Sequence, residues 1–191
     1  MLSENEIIEI LRQDLKPKRF EHSLCVAREA KRLAAKYGAD PEKAYLAGLV
    51  HDATKNHSTE KQLKIFERFG IILSDVEAGS EKLWHAISGA VVAENVFGIK
   101  DLDILNAIRC HTTAKTQMSK LETVLYIADF TSLDRDYDDV DVMRQLAEES
   151  LEKALRYALV YTVSDLCQRE LAIHPDTIAA YNEILLRGKT K

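Results

Sequence analysis

The pair His51-Asp52 closes the stretch Ala44-Tyr45-Leu46-Ala47-Gly48-Leu49-Val50, which is apolar all the way round, as a helix in the middle of a domain would be. A carboxylate delivered by such a helix needs compensation, because an unpaired buried charge is costly or shifts its ionisation. A helix-end cap, a buried hydrogen-bonded pair or a metal ion would each supply it. Histidine offers a neutral imidazole nitrogen and aspartate two oxygens, one for each of two ions. As ligands they suit iron, manganese, cobalt or zinc better than magnesium or calcium.

The remaining histidine settings are alike. His22 lies in Arg19-Phe20-Glu21-His22-Ser23, and His85 in Leu83-Trp84-His85-Ala86-Ile87-Ser88-Gly89-Ala90, with Gly89 one turn on along the same helix face and leaving space there. His111 ends Ala107-Ile108-Arg109-Cys110-His111, and Asp129 follows the apolar run Val124 to Ala128. Singly, each fits a satisfied core residue. Together they put one polar ligand type on each of five helices, which points to a shared centre. His57 is close enough to His51-Asp52 to support them or face a substrate, and His174 before Pro175 reads as a cap-position residue.

The elements that must position these residues are marked by capping chemistry, in which a side-chain oxygen satisfies an otherwise unpaired N–H of a first turn. Ser3-x-x-Glu6 opens a helix ending near Pro17; a second runs from about Lys18 to Tyr37 and stops at Gly38. Asp40-Pro41-Glu42 starts a third, to about Ala53. Thr59-x-x-Gln62 caps a fourth ending near Gly70, with a loop or one short turn from Ile71 to Ser80. Further helices are expected over about Glu81–Phe97, Asp101–His111, Ser119–Phe130, Val140–Tyr161 or beyond, and Pro175–Leu186. The expectation is an all-α fold of about eight or nine helices.

The 191 residues predict a single domain over 1–191. A composition of 46% hydrophobic and 30% charged residues, with 7 Gly and 3 Pro, excludes disordered and collagen-like chains. A net charge of −5 gives no general attraction to nucleic acid or anionic lipid, so any phosphate ligand must be held locally. No apolar run approaches the roughly 20 residues of a bilayer span, and Met1-Leu2-Ser3-Glu4-Asn5-Glu6 lacks the order of a signal peptide, which predicts a cytoplasmic protein with no membrane partner. Cys25, Cys110 and Cys167 read as buried free thiols, not a zinc-thiolate site. A homodimer is the expectation from base rates for soluble enzymes.

In the order His22, His51-Asp52, His85, His111, Asp129, the chain resembles the HD-domain metal-dependent phosphohydrolases, whose pattern is H…HD…H…H…D on a helical core. More narrowly, Arg19-x-x-His22, His51-Asp52-x-x-Lys55, His111-Thr112-Thr113, and Ala128-Asp129 followed by Arg135-Asp136-Tyr137 resemble the bacterial YqeK-type proteins, known as symmetrical diadenosine tetraphosphate hydrolases with a di-iron centre. The resemblance covers about residues 17 to 160 and implies a compact HD-domain helical bundle with a metal-binding core there and C-terminal helices over 161–191. It also implies two divalent metal ions, iron first and manganese, cobalt or zinc as alternatives. His22, His51, Asp52 and Asp129 would hold one ion, and Asp52 would bridge to a second held by His85 and His111.

A metal-activated water would then cut a dinucleoside tetraphosphate into two nucleoside diphosphates. Asp52 and Lys55 are the candidate catalytic residues, Lys55 holding a phosphate oxygen or helping the ADP group leave. Arg19, on the helix face of His22, offers a two-pronged donor to phosphate. Thr112 and Thr113 could reach phosphate, and Arg135 and Tyr137 the distal phosphates or the base. The alternatives are an HD phosphohydrolase acting on a nucleoside monophosphate or guanosine polyphosphate, and a non-catalytic nucleotide-binding module. Three positions depart from the family pattern: Ala114 where glycine is usual, and Phe130 and Ser132 where Lys or Tyr and Glu are commoner. They bear on base or sugar recognition and remove no metal ligand.

Overall fold

The computed structural model describes residues 1–187, which form helices and their connections with no strand among them. The last stretch of the expected C-terminal helical part, 188–191, lies outside the described residues. The helices are α1 (Glu4–Asp14), α2 (Pro17–Tyr37), α3 (Pro41–Val50), α4 (Thr59–Arg68), α5 (Asp75–Ala78), α6 (Trp84–Asn95), α7 (Leu102–Cys110), α8 (Lys120–Thr131), α9 (Val140–Glu149), α10 (Leu151–Gln168) and α11 (Pro175–Arg187). A single 3₁₀ turn, Glu81–Leu83, leads into α6.

The capping signals read from sequence operate in the structure with two adjustments. Ser3/Glu6 and Ser119/Glu122 form reciprocal capping boxes, and Asp40 accepts from the N–H groups of Glu42 and Lys43. Ser58, not Thr59, caps α4, accepting from the Lys61 N–H. The segment expected as one helix from Val140 is two, because Ser150 is extended (φ −165°) and caps α10 through the Lys153 N–H. That break and the short α5, itself opened by a Ser74/Glu77 capping box, raise the helix count above the expected eight or nine.

Helix α3 is the axle of the bundle. It packs on α2, α7 and α8, while α6 and α7 pair and α10 covers α8, α9 and α11. Ala44, Ala47, Leu49 and Val50 are fully buried, as is most of α8 from Val124 to Ala128. Gly48 sets the closeness of α2 and α3, since a Cβ there would stand 2.7 Å from the Ala27 Cα. Of the cysteines only Cys110 is buried; Cys25 is half-buried and Cys167 exposed, near the end of α10 where the bundle no longer covers it. None of the described helices is long and apolar enough to cross a membrane.

Candidate active site

His22 comes from α2, His51 and Asp52 from the end of α3, His85 from α6, His111 from the end of α7, and Asp129 from α8. All four histidines and Asp52 are buried to 3% exposure or less. The imidazoles form a continuous chain, with ring centroids 5.5 Å apart for His22–His51, 5.0 Å for His51–His111 and 5.0 Å for His85–His111. At Gly89 a Cβ would lie 3.4 Å from the His51 carbonyl, ordinary van der Waals contact, so the cluster does not depend on the space that glycine leaves there.

Local backbone decides which nitrogen each ring turns inward. His51 Nδ1–H donates to the Gly48 carbonyl at 2.6 Å, and His111 Nδ1–H to the Ile108 carbonyl at 2.7 Å, three residues back in each case. Both rings therefore aim an Nε2 lone pair at the centre. His51 Nε2 is buried with no hydrogen-bond partner, although it lies 3.5 Å from Asp52 Oδ2. His85 Nε2 stands 3.1 Å from His111 Nε2 and 3.1 Å from Asp52 Oδ1. Nitrogens bound to one ion at about 2.1 Å each sit about 3.0–3.4 Å apart, so the spacing suits a shared ion.

The donor set fits metal ions at two places. His22, His51 and Asp129 form one group with ligand atoms within 4.8 Å of one another, and His51, Asp52 and His111 a second. His51 is common to both groups, but with Nδ1 committed to the Gly48 carbonyl it has one lone pair to give, whereas Asp52 has two oxygens. His22 Nε2 is 2.9 Å from Asp129 Oδ1 and its Nδ1 is 2.7 Å from Asp134 Oδ2. A neutral imidazole donates to one of these carboxylates only, and a cation between Nε2 and Asp129 resolves the other contact.

Charge balance around the cluster is local. Burial opposes ionisation of Asp52, but His51, His111 and His85 around it hold its carboxyl well below the usual range. Burial likewise opposes the charge on Asp129, outweighed chiefly by Arg135, and its carboxyl is also held low. Burial drives His51 and His85 the other way, down to about 4.

Arg19 Nη1 donates to Asp52 Oδ2 at 2.8 Å, and Arg135 bonds both the side chain and, at 2.6 Å, the carbonyl of Asp129. The two arginines line a groove of about 500 Å³ with Lys16, Lys18, His22, Asn56, Asp134, Asp136 and Tyr137. Tyr137 is half-buried, donates to the Phe130 carbonyl at 3.1 Å and leans on the Tyr161 ring at 5.8 Å. Lys55 Nζ approaches His85 Nε2 at 3.1 Å, and burial lowers its pKa.

The two threonines face elsewhere. Thr113 is buried, donates to the Ala114 carbonyl at 2.9 Å and accepts from Thr177 at its own carbonyl, so its hydroxyl belongs to the turn and not to a phosphate. Thr112 lines a separate cavity of about 510 Å³ beside Leu166 and His174, and its hydroxyl has no partner. His174 Nδ1 accepts from the Asp176 N–H at 3.1 Å, as a cap would.

The three departures from the family pattern have structural meanings. Ala114 holds φ +55°, a left-handed conformation that explains a usual glycine and strains alanine. Phe130 packs in an aromatic row with Tyr126 and Tyr161. Ser132 is fully buried and donates to Asp134 Oδ1 at 2.8 Å, bracing the carboxylate behind His22. Asp134, Lys16, Lys18 and Asn56 were absent from the sequence candidates; the position of Asp134, just before Arg135-Asp136-Tyr137, was its only signal.

The HD domain family matches residues 19–134. Over 98% of this chain and 100% of its own length, the "Bis(5'-nucleosyl)-tetraphosphatase, symmetrical" of Halalkalibacterium halodurans is 33% identical. The protein of the same description in Bacillus subtilis is 34% identical over 95% of this chain and 97% of its own. A crystal structure of an HD superfamily hydrolase from Clostridium acetobutylicum, described as involved in NAD metabolism, superposes with a TM-score of 0.94 at 40% identity, covering 98% of this chain and 99% of that one. The family match, from Arg19 to Asp134, contains all six histidines and aspartates of the cluster, and the chain belongs to the HD domain family.

Proposed function

We propose that this protein hydrolyses dinucleoside tetraphosphates, diadenosine tetraphosphate first, into two nucleoside diphosphates. The observation that carries this reading is the convergence of four buried histidines and two aspartates from five helices beside a groove lined by Lys16, Lys18, Arg19 and Arg135. The full-length relatives named for symmetrical cleavage support the substrate.

In this reading His22, His51, Asp52, His85, His111 and Asp129 would hold two divalent ions, with iron as the proposed metal and manganese, cobalt or zinc fitting the same donors. Once bound, the ions supply Lewis-acid stabilisation of phosphate charge and a nucleophile from water at neutral pH. The chain's own residues do the rest. Asp134 and the Gly48 and Ile108 carbonyls hold the rings of His22, His51 and His111 in the orientation a ligand needs. Arg19 and Arg135 stand between the carboxylates and the groove, where their forks meet phosphate oxygens, and Lys16 and Lys18 add charge for the phosphate beyond. Cleavage at the centre of a tetraphosphate requires two phosphates on the groove side, each with one negative charge, and the groove's four cations, offset by Asp134 and Asp136, balance them.

Lys55, kept at the cluster by its contact with His85, holds a proton at Nζ for the departing diphosphate oxygen. Tyr137 offers a ring at the groove wall for the base. The working unit proposed is one domain over 1–191, cytoplasmic because nucleotides are, and assembled as a homodimer, which sedimentation equilibrium decides. Anaerobic purification, metal analysis and chromatography of products from diadenosine tetraphosphate test the whole. About two irons per chain and ADP as sole product, both lost in Asp52→Ala, is the expected result. AMP plus ATP would overturn the symmetrical cut, and bound metal without ADP would turn the search to other nucleotides.

A further inference from the structure

The rings of His51 and His111 owe their aim to a carbonyl three residues back; the ring of His85 does not. Among the described residues its nitrogens meet side chains alone, those of Lys55, Asp52 and His111. Where the ring stands therefore depends on how the first turn of α6 is held. Leu83, at the N-cap position, gives that turn no side-chain cap. It is held from outside instead. Trp84 Nε1–H donates to the Glu77 carbonyl at 2.7 Å, and the Thr54 hydroxyl donates to the His85 carbonyl itself at 3.0 Å.

Thr54 stands two residues after Asp52, in the same turn, and is fully buried. Its Oγ1 also lies 2.7 Å from Ser88 Oγ, one turn beyond His85 on α6. A hydroxyl carries one proton and a carbonyl only accepts, so service of the His85 carbonyl by Thr54 requires Ser88 to donate into that contact. Ser88 is fully buried too, and the Gln62 side chain of α4 meets it at 2.9 Å. His57 ends the turn, its N–H donating to the Thr54 carbonyl at 3.0 Å, and lines a cavity that none of the cluster residues lines.

We infer that Thr54 is a positioning residue: by holding the His85 carbonyl it ties the first turn of α6 to the turn that carries Asp52, and so fixes where the His85 ring stands relative to Asp52 and His111. The inference rests on the two-ion reading above and concerns one ion of the two, the one that Asp52, His85 and His111 would share. Among the described residues neither His22 nor Asp129 bonds this network. Valine has the shape of threonine without its hydroxyl, so Thr54→Val removes the tie and leaves the His85 carbonyl without that donor.

The test loads metal-free, full-length protein with cobalt(II) and measures the bound ions by competition with a chromogenic chelator. The single tryptophan, Trp84, adjoins His85, so quenching of its emission follows the His85 position. In Thr54→Val the ion that Trp84 reports should bind about 10- to 100-fold more weakly, while the other keeps its wild-type affinity. Thr54→Ser returns the hydroxyl without the methyl group and should restore the affinity, which a loss of packing alone would not do. Ser88→Ala should weaken the same ion in smaller measure, and carries the test if Thr54→Val does not fold. Equal weakening of both ions, unchanged affinity, or no rescue by Thr54→Ser would overturn this inference alone. A wild type that holds fewer than two ions would overturn the two-ion reading and the inference with it.

Discussion

The Nε2 atoms of His85 and His111 face each other at 3.1 Å, and His111 has already committed its only other nitrogen to the Ile108 carbonyl. Two imidazole nitrogens at that separation are stable when a proton or a metal ion lies between them. Metal removal is therefore expected to lower stability markedly. At 100 to 1,000 times the dissociation constant, a bound ion stabilises the fold by about 3–4 kcal/mol, and for a chain of this size that is on the order of 10 °C in melting temperature. Calorimetry of chelator-treated protein with and without added manganese measures it. An unchanged melting temperature would remove the metal from the centre.

Acid should destabilise the metal-free protein early. Burial holds His51 and His85 down to about 4 against an ordinary 6.5, so the unfolded chain takes up protons that the folded chain refuses. The stabilisation from keeping these rings neutral is complete above about pH 6.5 and is lost as pH falls toward 4. Each contributes up to about 1.4 kcal/mol per pH unit in that window, or roughly 3 kcal/mol for the pair between pH 6.5 and 5. Urea denaturation midpoints across that range, in chelator, should fall steadily; a flat profile would contradict the burial of both rings.

The approach of α2 and α3 can be tested at Gly48. A methyl group there meets the Ala27 backbone at 2.7 Å, which is not the yielding end of a side chain, so Gly48→Ala must push the helices apart. A loss of about 1–3 kcal/mol in stability is expected. Because His22 rides on α2 and His51 on the end of α3, bound metal should fall as well. Denaturation and metal analysis of the same preparation check both effects.

Asp134→Ala separates orientation from ligation. Asp134 touches only the outer nitrogen of His22 and is braced by Ser132. Its loss should weaken metal affinity about 10- to 100-fold with little change in folding. Ser132→Ala should reproduce the effect in smaller measure, and competition with a chromogenic chelator reads both.

How far such a site can be read without coordinates depends on contrast. His51, Asp52, His85, His111 and Asp129 stand out in sequence because each interrupts an apolar helix, and the structure brings them, with His22, to one place. Asp134, Lys16 and Asn56 sit in polar connections and Lys18 in the exposed first turn of α2, where a working side chain looks like any solvated one. Thr113 follows a buried histidine just as Thr112 does, yet the turn rotates its hydroxyl onto the Ala114 carbonyl. The break at Ser150 escaped for a similar reason: no glycine or proline marks it, and the apolar spacing runs on through both helices. Ser58 and Thr59 are adjacent hydroxyls, and only the extended backbone at Ser58 decides which of them caps.

The contact between His22 and Asp129 spans 107 residues of chain. During synthesis the histidines of α2, α3, α6 and α7 leave the ribosome before the carboxylate of α8 exists. An ion arriving at that stage finds scattered imidazoles and an open side. Completion of the His22, His51 and Asp129 group waits until α8 has emerged and docked against α2, whereas His51, Asp52 and His111 have all been made by then, so the two halves of the centre mature in order. Cells starved of the correct ion should then accumulate a folded but vulnerable apoprotein, not an arrested nascent chain.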